Sequence, residues 1–274
     1  MNNHFFNYNG KQIHYTYYLG NESNAIVLLV HGLGEHIGRY ESWIARFKPY
    51  NYTFCAIDLP GHGLSDGKRG HIHNVQEFYD ILNLFLDRIK DDFPNKPIII
   101  YGHSMGGNIA ANYVLNHSPA IKCLILSSPW IQLAITPGFF KFQLGKLMLK
   151  IYPQFHDKTN LDPTFISRLP EEVERYKNDP LVHSRITPSL FFPLFFNGLA
   201  LIKKAKNIPC PTLVVHGTGD KLTSHKASEE FAAQSDKIDY IAYPNGYHEL
   251  HHDACRDVLF NDILDWLSVH VVMR

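Results

Sequence analysis

The chain has 274 residues, a length that fits one α/β domain with an insertion or two small domains. Of these residues 45% are hydrophobic and 13% aromatic, enough for a sizeable core. Lysine plus arginine and aspartate plus glutamate both number 26, so the formal net charge is zero, and neither a nucleic-acid surface nor a charged tail is indicated. The four cysteines are scattered and form no CxxC pair, which argues against a zinc or redox site and against a disulfide framework.

The N-terminus has no basic segment followed by an apolar run, and no stretch reaches the ~18 uncharged apolar residues that would span a bilayer. We therefore expect a soluble cytoplasmic protein.

The predicted elements begin with a β-hairpin and continue with buried strands. Residues 5–8 and 12–18 flank Asn9-Gly10, a strong hairpin signal. Continuous apolar runs, typical of strands covered on both faces, follow at residues 25–30, 52–57, 98–101, 121–126, 212–215 and 238–243. Segments of helical period lie between them, at residues 75–93, 108–117 and 253–269. This alternation predicts an α/β fold with a mostly parallel sheet and helices on both faces.

The alternation stops between residues 129 and 206, a region rich in phenylalanine, leucine and proline with no convincing strand. Residues 139–149 have the pattern of an amphipathic helix, and residues 191–196 are still more apolar. We interpret residues 129–206 as a helical cap inserted between two parts of the core, 1–128 and 207–274. Ordinary helical packing would explain most of these side chains, whereas an apolar cap over a cleft would also bind a ligand.

The stretch Gly102-His103-Ser104-Met105-Gly106 fits G-x-S-x-G where a strand runs into a helix, which is the context of a nucleophile elbow. Such a tight turn strains the backbone of the serine and leaves no room for side chains at the flanking positions. The alternative is a glycine-rich connection with a serine that caps the helix.

A serine hydroxyl needs a base to take its proton, and the base needs a partner that fixes its tautomer. In this architecture the chain order is serine, acid, histidine, with the last two after late strands. Asp220 follows one such strand and His248 the last one, so Ser104, Asp220 and His248 are the predicted catalytic residues. Asp220 could alternatively be a turn residue.

The oxyanion of a tetrahedral intermediate needs N–H donors, one from the residue after the nucleophile and one from the loop after an early strand. These positions are Met105 and Leu33. The histidines at 248, 251 and 252 also suggest metal ligation, but no partner cluster matches them, so we predict no metal.

With these residues the chain resembles α/β-hydrolases of the monoacylglycerol lipase and lysophospholipase group, also classed as serine aminopeptidases (S33). The resemblance covers nearly all 274 residues and rests on HGLGEHIGRY (31–40), DLPGHGLSDGKRG (58–70), GHSMGG (102–107), LDPTFISRLPEEVERYKNDPLV (161–182), HGTGDKLT (216–223) and YPNGYHELHHD (243–253).

The resemblance implies the same catalytic and oxyanion residues, no cofactor, and a polar pocket for a glycerol-like leaving group made by Glu35, Arg39, Tyr176 and His251. Alternatively, Glu35 and Arg39 pair with each other as loop scaffold, Tyr176 is a surface residue of the cap, and His251 packs behind the catalytic loop.

The leading hypothesis is a serine carboxylic-ester hydrolase that releases fatty acid from monoacylglycerol or a similar single-chain lipid ester through an acyl-enzyme. The alternatives are a lysophospholipase or general carboxylesterase, cofactor-free perhydrolysis, and a non-catalytic binding protein on the same fold. The aromatic cap also suggests transient peripheral contact with a membrane or micelle.

Overall fold

The apolar runs of the sequence form strands in the computed structural model, which describes residues 3–159 and 161–271. In chain order the strands are β1 (His4–Tyr8), β2 (Lys11–Tyr18), β3 (Ala25–Val30), β4 (Tyr52–Ile57), β5 (Ile98–His103), β6 (Cys123–Ser127), β7 (Asp157–Lys158), β8 (Arg185–Ile186), β9 (Thr212–Gly217) and β10 (Ile238–Tyr243). All except β7 and β8 form one sheet, in the order β1-β2-β4-β3-β5-β6-β9-β10. In this order β1 and β2 pair antiparallel, as do β2 and β4, and each later pair of neighbours, from β4-β3 to β9-β10, is parallel, which confirms the predicted mostly parallel sheet.

Eight α-helices lie in the described part of the chain: α1 (Glu41–Ala45), α2 (Gln76–Asp92), α3 (Met105–His117), α4 (Phe139–Ile151), α5 (Pro170–Asn178), α6 (Pro188–Lys204), α7 (His225–Ala232) and α8 (Arg256–His270). Alternate residues of a strand point to opposite faces, and the residues of β3 accordingly enter two different hydrophobic clusters. Ile26, Leu28 and Val30 pack with α2 and α3, whereas Ala25, Val27 and Leu29 pack with α1 and α8. The prediction of helices on both faces is therefore confirmed.

The predicted boundaries differ most where glycine or a short turn interrupts the pattern. We expected the helix after β5 to begin at residue 108, but this helix, α3, begins at Met105. Gly106 and Gly107 are helical residues that allow close backbone packing. The last helix begins at Arg256 rather than at residue 253, since a 3₁₀ turn at Leu250–His252 precedes it. The short helix α7, which Ser224 caps by accepting the Ala227 N–H, was not predicted.

The chain between β6 and β9 carries α4, α5 and α6. The predicted helix at residues 139–149 is present as α4, but none of its 13 residues is buried. The expectation that this region lacks strands is wrong, because β7 and β8 pair antiparallel; two residues are too few for a recognisable period.

The amide of Asn108, on α3, ties this region to the core. Its Nδ2 atom donates to the carbonyl oxygens of Trp130 and Leu194, at 2.7 and 2.9 Å, at the beginning of the region and in its last helix. A Cβ at Gly198 would lie 2.5 Å from the Ile131 carbonyl oxygen, so α6 packs closely against the backbone of the segment that follows β6.

Among the helices of the described ranges, none combines the length and the apolar character needed to cross a bilayer.

Candidate active site

Ser104 lies at the turn between β5 and α3, at the carboxyl end of the strand. Its backbone angles are φ 52° and ψ −116°, a conformation that costs a non-glycine residue of the order of 1–3 kcal/mol. A Cβ at Gly106 would lie 2.2 Å from the Val30 carbonyl oxygen, and a Cβ at Gly102 would lie 2.6 Å from the Gly106 carbonyl oxygen. The glycines therefore permit the turn, as the motif predicts. The Ser104 hydroxyl makes no capping hydrogen bond, so it is not a simple helix cap.

Asp220 follows β9, and protein donors surround its carboxylate. Its Oδ1 atom accepts the N–H groups of Leu222 and Thr223 at 2.7 and 3.1 Å. Its Oδ2 atom accepts the Thr223 hydroxyl at 2.9 Å and lies against two imidazoles, those of His248 and His216. Burial opposes ionisation, but these two imidazoles outweigh it and hold the pKa of Asp220 well below its usual value.

His248 follows β10, and its Nδ1 atom lies 2.7 Å from Asp220 Oδ2. Because the ionised carboxylate accepts a hydrogen bond from the Nδ1–H group, the proton of the neutral ring stays on Nδ1 and Nε2 is left as its basic nitrogen. Burial favours the neutral imidazole, but the attraction of Asp220 outweighs it and raises the pKa of His248. His248 and Ser104 line the same cavity, so the structure brings the three predicted catalytic residues into one region.

His216, the buried histidine of β9, was not assigned a role from the sequence. Its Nε2 atom lies 3.1 Å from Asp220 Oδ2, and its Nδ1 atom lies 2.8 Å from the Ser228 hydroxyl. Burial lowers the pKa of His216, so the ring is neutral and donates through Nε2 to the carboxylate while Ser228 donates to Nδ1. The position four residues before Asp220, at the end of the same strand, is the signal that could have identified it.

The two predicted oxyanion donors, Leu33 and Met105, belong to segments that adjoin Ser104. Leu33 is in the loop after β3 and lines the cavity with Ser104, and Met105 is the first residue of α3. Within residues 3–159 and 161–271, neither backbone N–H has a hydrogen-bond acceptor in the protein. A Cβ at the neighbouring Gly32 would lie 3.2 Å from Ser104 Cβ, so the loop and the nucleophile are in close contact.

Glu35, Arg39 and Tyr176 come together at one end of this cavity. Arg39 Nη1 donates to Glu35 Oε2 at 2.9 Å, and the Arg39 guanidinium lies 4.7 Å from the centre of the Tyr176 ring. Glu35 Oε1 accepts the Gly32 N–H at 2.6 Å and the Tyr40 hydroxyl at 2.7 Å. Glu35 and Tyr176 line the cavity, whereas Arg39 is not among its lining residues and lies behind them.

Glu249, which sequence reasoning did not select, completes this cluster. Arg39 donates to both of its carboxylate oxygens, Nη1 to Oε1 at 2.6 Å and Nη2 to Oε2 at 2.7 Å. Glu249 also lines the cavity. Its place directly after the candidate base is the signal that could have drawn attention to it.

His251 lies behind the catalytic loop and is not among the cavity-lining residues. Its ring stacks on Tyr40 with the ring centres 4.6 Å apart and lies against His103 at 5.0 Å. Burial lowers the pKa of His251, so the ring is neutral. Of the four residues proposed for the leaving-group pocket, two line the cavity and two, His251 and Arg39, support it from behind.

Glu249, His251 and His252 bring potential metal-ligand atoms within 4.8 Å of one another. Both oxygens of Glu249 are bound by Arg39, and His252 Nδ1 lies 2.8 Å from Glu249 Oε2. His252 Nε2 lies 2.9 Å from the Arg39 carbonyl oxygen. The potential ligand atoms of Glu249 and His252 are thus already engaged in hydrogen bonds and ion pairs within the protein.

The cavity has a volume of about 580 Å³, which is within the range of pockets that bind small molecules. Its walls away from Ser104 are formed mainly by apolar side chains of the region between β6 and β9, including Phe142, Leu144, Met148, Phe191 and Phe192. A slender apolar chain therefore fits under this region, with a polar group at the Glu35 end.

The arrangement is suited to nucleophilic attack on a carbonyl carbon. The strained turn carries a hydroxyl at a cavity that is also lined by an imidazole oriented by a carboxylate, and among the described residues two backbone N–H groups near this hydroxyl have no acceptor.

Comparison with known proteins agrees with this geometry. Residues 21–254 match the family model described as serine aminopeptidase, S33. A monoacylglycerol lipase of Mycolicibacterium smegmatis is 30% identical over 253 residues, which are 91% of this chain and 90% of that protein. An uncharacterized abhydrolase domain-containing protein of Dictyostelium discoideum is 34% identical over 90% of this chain, which spans only 26% of that relative's length. The crystal structure of Paleococcus ferrophilus monoacylglycerol lipase superposes with a TM-score of 0.86 at 31% identity, covering 94% of this chain and 99% of that chain.

Proposed function

Because the chain belongs to the serine aminopeptidase S33 family of α/β-hydrolases, we propose that it releases fatty acid from monoacylglycerol through an acyl-enzyme on Ser104. It is a carboxylic-ester hydrolase of the monoacylglycerol lipase type. The observation that carries the substrate proposal is the composition of the cavity walls, which are mainly apolar under the cap (residues 129–206) and acidic beside Ser104, where Glu35 and Glu249 line the cavity.

In this proposal the Ser104 hydroxyl attacks the ester carbonyl carbon while His248 Nε2 takes its proton and Asp220 stabilises the imidazolium. The oxyanion accepts hydrogen bonds from the N–H groups of Leu33 and Met105. Collapse of the intermediate breaks the bond to glycerol, which leaves with the proton from His248. A water molecule, deprotonated by the same imidazole, then attacks the acyl-enzyme, and the fatty acid departs as Ser104 regains its proton.

The apolar and polar walls of the cavity match the two parts of such a substrate. The acyl chain would lie against Phe142, Met148 and Phe192, and their burial by the chain would stabilise the complex by roughly 25 cal/mol for each Å² of apolar surface removed from water. The carboxylates at the other end would accept hydrogen bonds from the glycerol hydroxyls.

The proposal extends to peripheral contact with a membrane or micelle through the cap, with a cytoplasmic location remaining a prediction. Helix α4 exposes large apolar side chains, with Phe140 87% and Phe139 70% accessible, and its sequence contains three lysines and no acidic residue. Such a helix suits an interface between water and lipid. Flotation with anionic vesicles, compared between the native chain and Phe140→Ser, measures this contact, and equal flotation of both would contradict it.

The enzymatic test is a substrate panel assayed with the purified protein. We expect fatty acid release from monoacylglycerols of medium and long chain to exceed release from lysophosphatidylcholine, and Ser104→Ala to abolish both. A fluorophosphonate probe should label the native chain and not Ser104→Ala, since labelling requires an activated serine. A native chain that takes up the probe but leaves monoacylglycerol intact would point to another ester, and one that fails to label would exclude catalysis at Ser104.

A further inference from the structure

The guanidinium of Arg39 is occupied by carboxylates and is not available to a ligand. It donates to one oxygen of Glu35 and to both oxygens of Glu249, and the ring of Tyr176 covers one of its faces. The Arg39 side chain is only 6% accessible. A phosphate could bind it only by displacing a bidentate ion pair, whose separation would leave a charge buried without a partner.

Both carboxylates are ionised. Burial alone would raise their pKa values, but Arg39 outweighs this effect and lowers the pKa of Glu35 and of Glu249. They line the cavity in front of the arginine, so a bound head group meets two negative groups first.

These groups lie at the nucleophile end of the cavity. A Cβ at Gly32 would lie 2.7 Å from Glu35 Oε1 and 3.2 Å from Ser104 Cβ, and Glu249 directly follows His248 in the chain. The leaving alcohol of an ester attacked by Ser104 must therefore lie beside them.

The cationic side chains that line the rest of the cavity come from other elements. Lys141 of α4 pairs with Asp157 at 2.8 Å, and Lys221 lies over the Phe165 ring at 4.5 Å. Lys158 belongs to β7. In the part of the chain that the structure describes, the side-chain partners of Glu35 and Glu249 are Gly32, Arg39, Tyr40 and His252, so none of the three lysines is hydrogen-bonded to either carboxylate.

We propose that Glu249 is a specificity-determining residue that makes the leaving-group end of the site accept uncharged, hydroxyl-bearing alcohols and reject phosphate-bearing ones. This rests on the proposed function of the same site. Glu249 acts in two ways. It occupies the guanidinium of Arg39, which would otherwise attract an anion. Its own carboxylate oxygens accept hydrogen bonds from hydroxyl groups, and their negative charge repels phosphate.

The test compares monooleoylglycerol with oleoyl-lysophosphatidate, which share the acyl chain and glycerol and differ by the phosphate. Both are assayed in the same detergent micelles. We expect the native chain to prefer monooleoylglycerol in kcat/KM by about a hundredfold or more, and Glu249→Gln to reduce this preference by about tenfold. Glu249→Asp, which keeps the charge, should retain most of the preference.

Glu172→Gln is the matched control, because Glu172 is also a buried glutamate paired with an arginine, Arg175 at 3.0 Å, but does not line the cavity. It should leave the preference unchanged. If Glu249→Gln fails to fold, as judged from its thermal transition, Glu35→Gln removes a charge from the same wall and should act in the same direction.

An unchanged preference in folded Glu249→Gln and Glu35→Gln would overturn the proposal, as would equal hydrolysis of the two lipids by the native chain. A native chain that hydrolyses neither lipid would remove the proposed function itself, and this inference with it. The two failures are thus distinguishable.

Discussion

The Nδ1 atom of His248 lies 2.7 Å from the Oδ2 atom of Asp220, although the two residues are 28 positions apart in the sequence and follow different strands. Because β9 and β10 are parallel neighbours, their carboxyl ends are adjacent, and the loops after them meet. The sheet topology thus brings the imidazole of His248 to the carboxylate of Asp220.

The pH dependence of hydrolysis should reflect this pair. Only the neutral imidazole can accept the serine proton, and Asp220 raises the pKa of His248 above the ordinary histidine value, so kcat/KM should rise with pH through that raised pKa and then level off. In Asp220→Asn the attraction is lost, the acid limb should move to lower pH, and the rate should fall by about 10³–10⁴-fold. A pH profile of both forms measures this, and an acid limb that stays in place would contradict the assignment of Asp220.

Ser104 combines a proposed catalytic role with a strained backbone conformation, and two substitutions separate the two. Ser104→Ala and Ser104→Gly should both lower kcat by roughly 10⁶-fold, but only glycine relieves the positive φ, so Ser104→Gly should unfold with a free energy about 1 kcal/mol higher than Ser104→Ala. Urea denaturation measures the difference. Ser118→Gly, at a residue with φ 45° at the end of α3, is the control that should gain stability and keep activity. Equal stability of the two Ser104 variants would show that the turn is not strained.

His216 should act as a positioning residue for Asp220. In His216→Gln the second imidazole on Asp220 Oδ2 is lost and the carboxylate gains rotational freedom, so we expect kcat to fall about tenfold with little change in KM. His225→Gln is the control, because the His225 ring is 6.4 Å from the His216 ring and makes no hydrogen bond to Asp220 among the described residues. A larger effect on KM than on kcat would argue for a different role.

Gly106 should contribute strongly to the stability of the fold. A Cβ there would lie 2.2 Å from the Val30 carbonyl oxygen, a contact between backbone groups that cannot move independently, so Gly106→Ala should lower the free energy of unfolding by about 3 kcal/mol. Gly138, where a Cβ would meet no atom within 4 Å, provides the matched substitution, and Gly138→Ala should change stability by less than about 0.5 kcal/mol. Comparable losses in both variants would refute the steric explanation.

The sequence predicts the sheet well because the buried strands are continuous apolar runs, as in residues 25–30, where all six residues are buried. It predicts the turn at Ser104 well because the backbone packs too closely at Gly102 and Gly106 for any side chain, so these glycines appear in the sequence as the G-x-S-x-G motif. Strand ends are less predictable: β5 and β9 extend past their apolar runs to His103 and Gly217, where pairing with neighbouring strands rather than hydrophobicity decides the boundary.

The roles of Glu249 and His216 could not be derived from composition or period. Each depends on a contact between segments far apart in the chain, since Glu249 meets Arg39 across 210 positions. The cap is the least predictable part, because the exposed phenylalanines of α4 follow the same pattern as core residues and only the structure shows that none is buried.

The attachment of the cap through Asn108 has a consequence for engineering. The Asn108 amide, on α3, donates to the carbonyl oxygens of Trp130 at the start of the cap and of Leu194 in its last helix, α6. Helix α4, in contrast, contributes no buried side chain. Helix α4 can therefore be replaced by another helix, to suit acyl chains of other lengths, while the contacts of Asn108 keep the rest of the cap in place relative to Ser104.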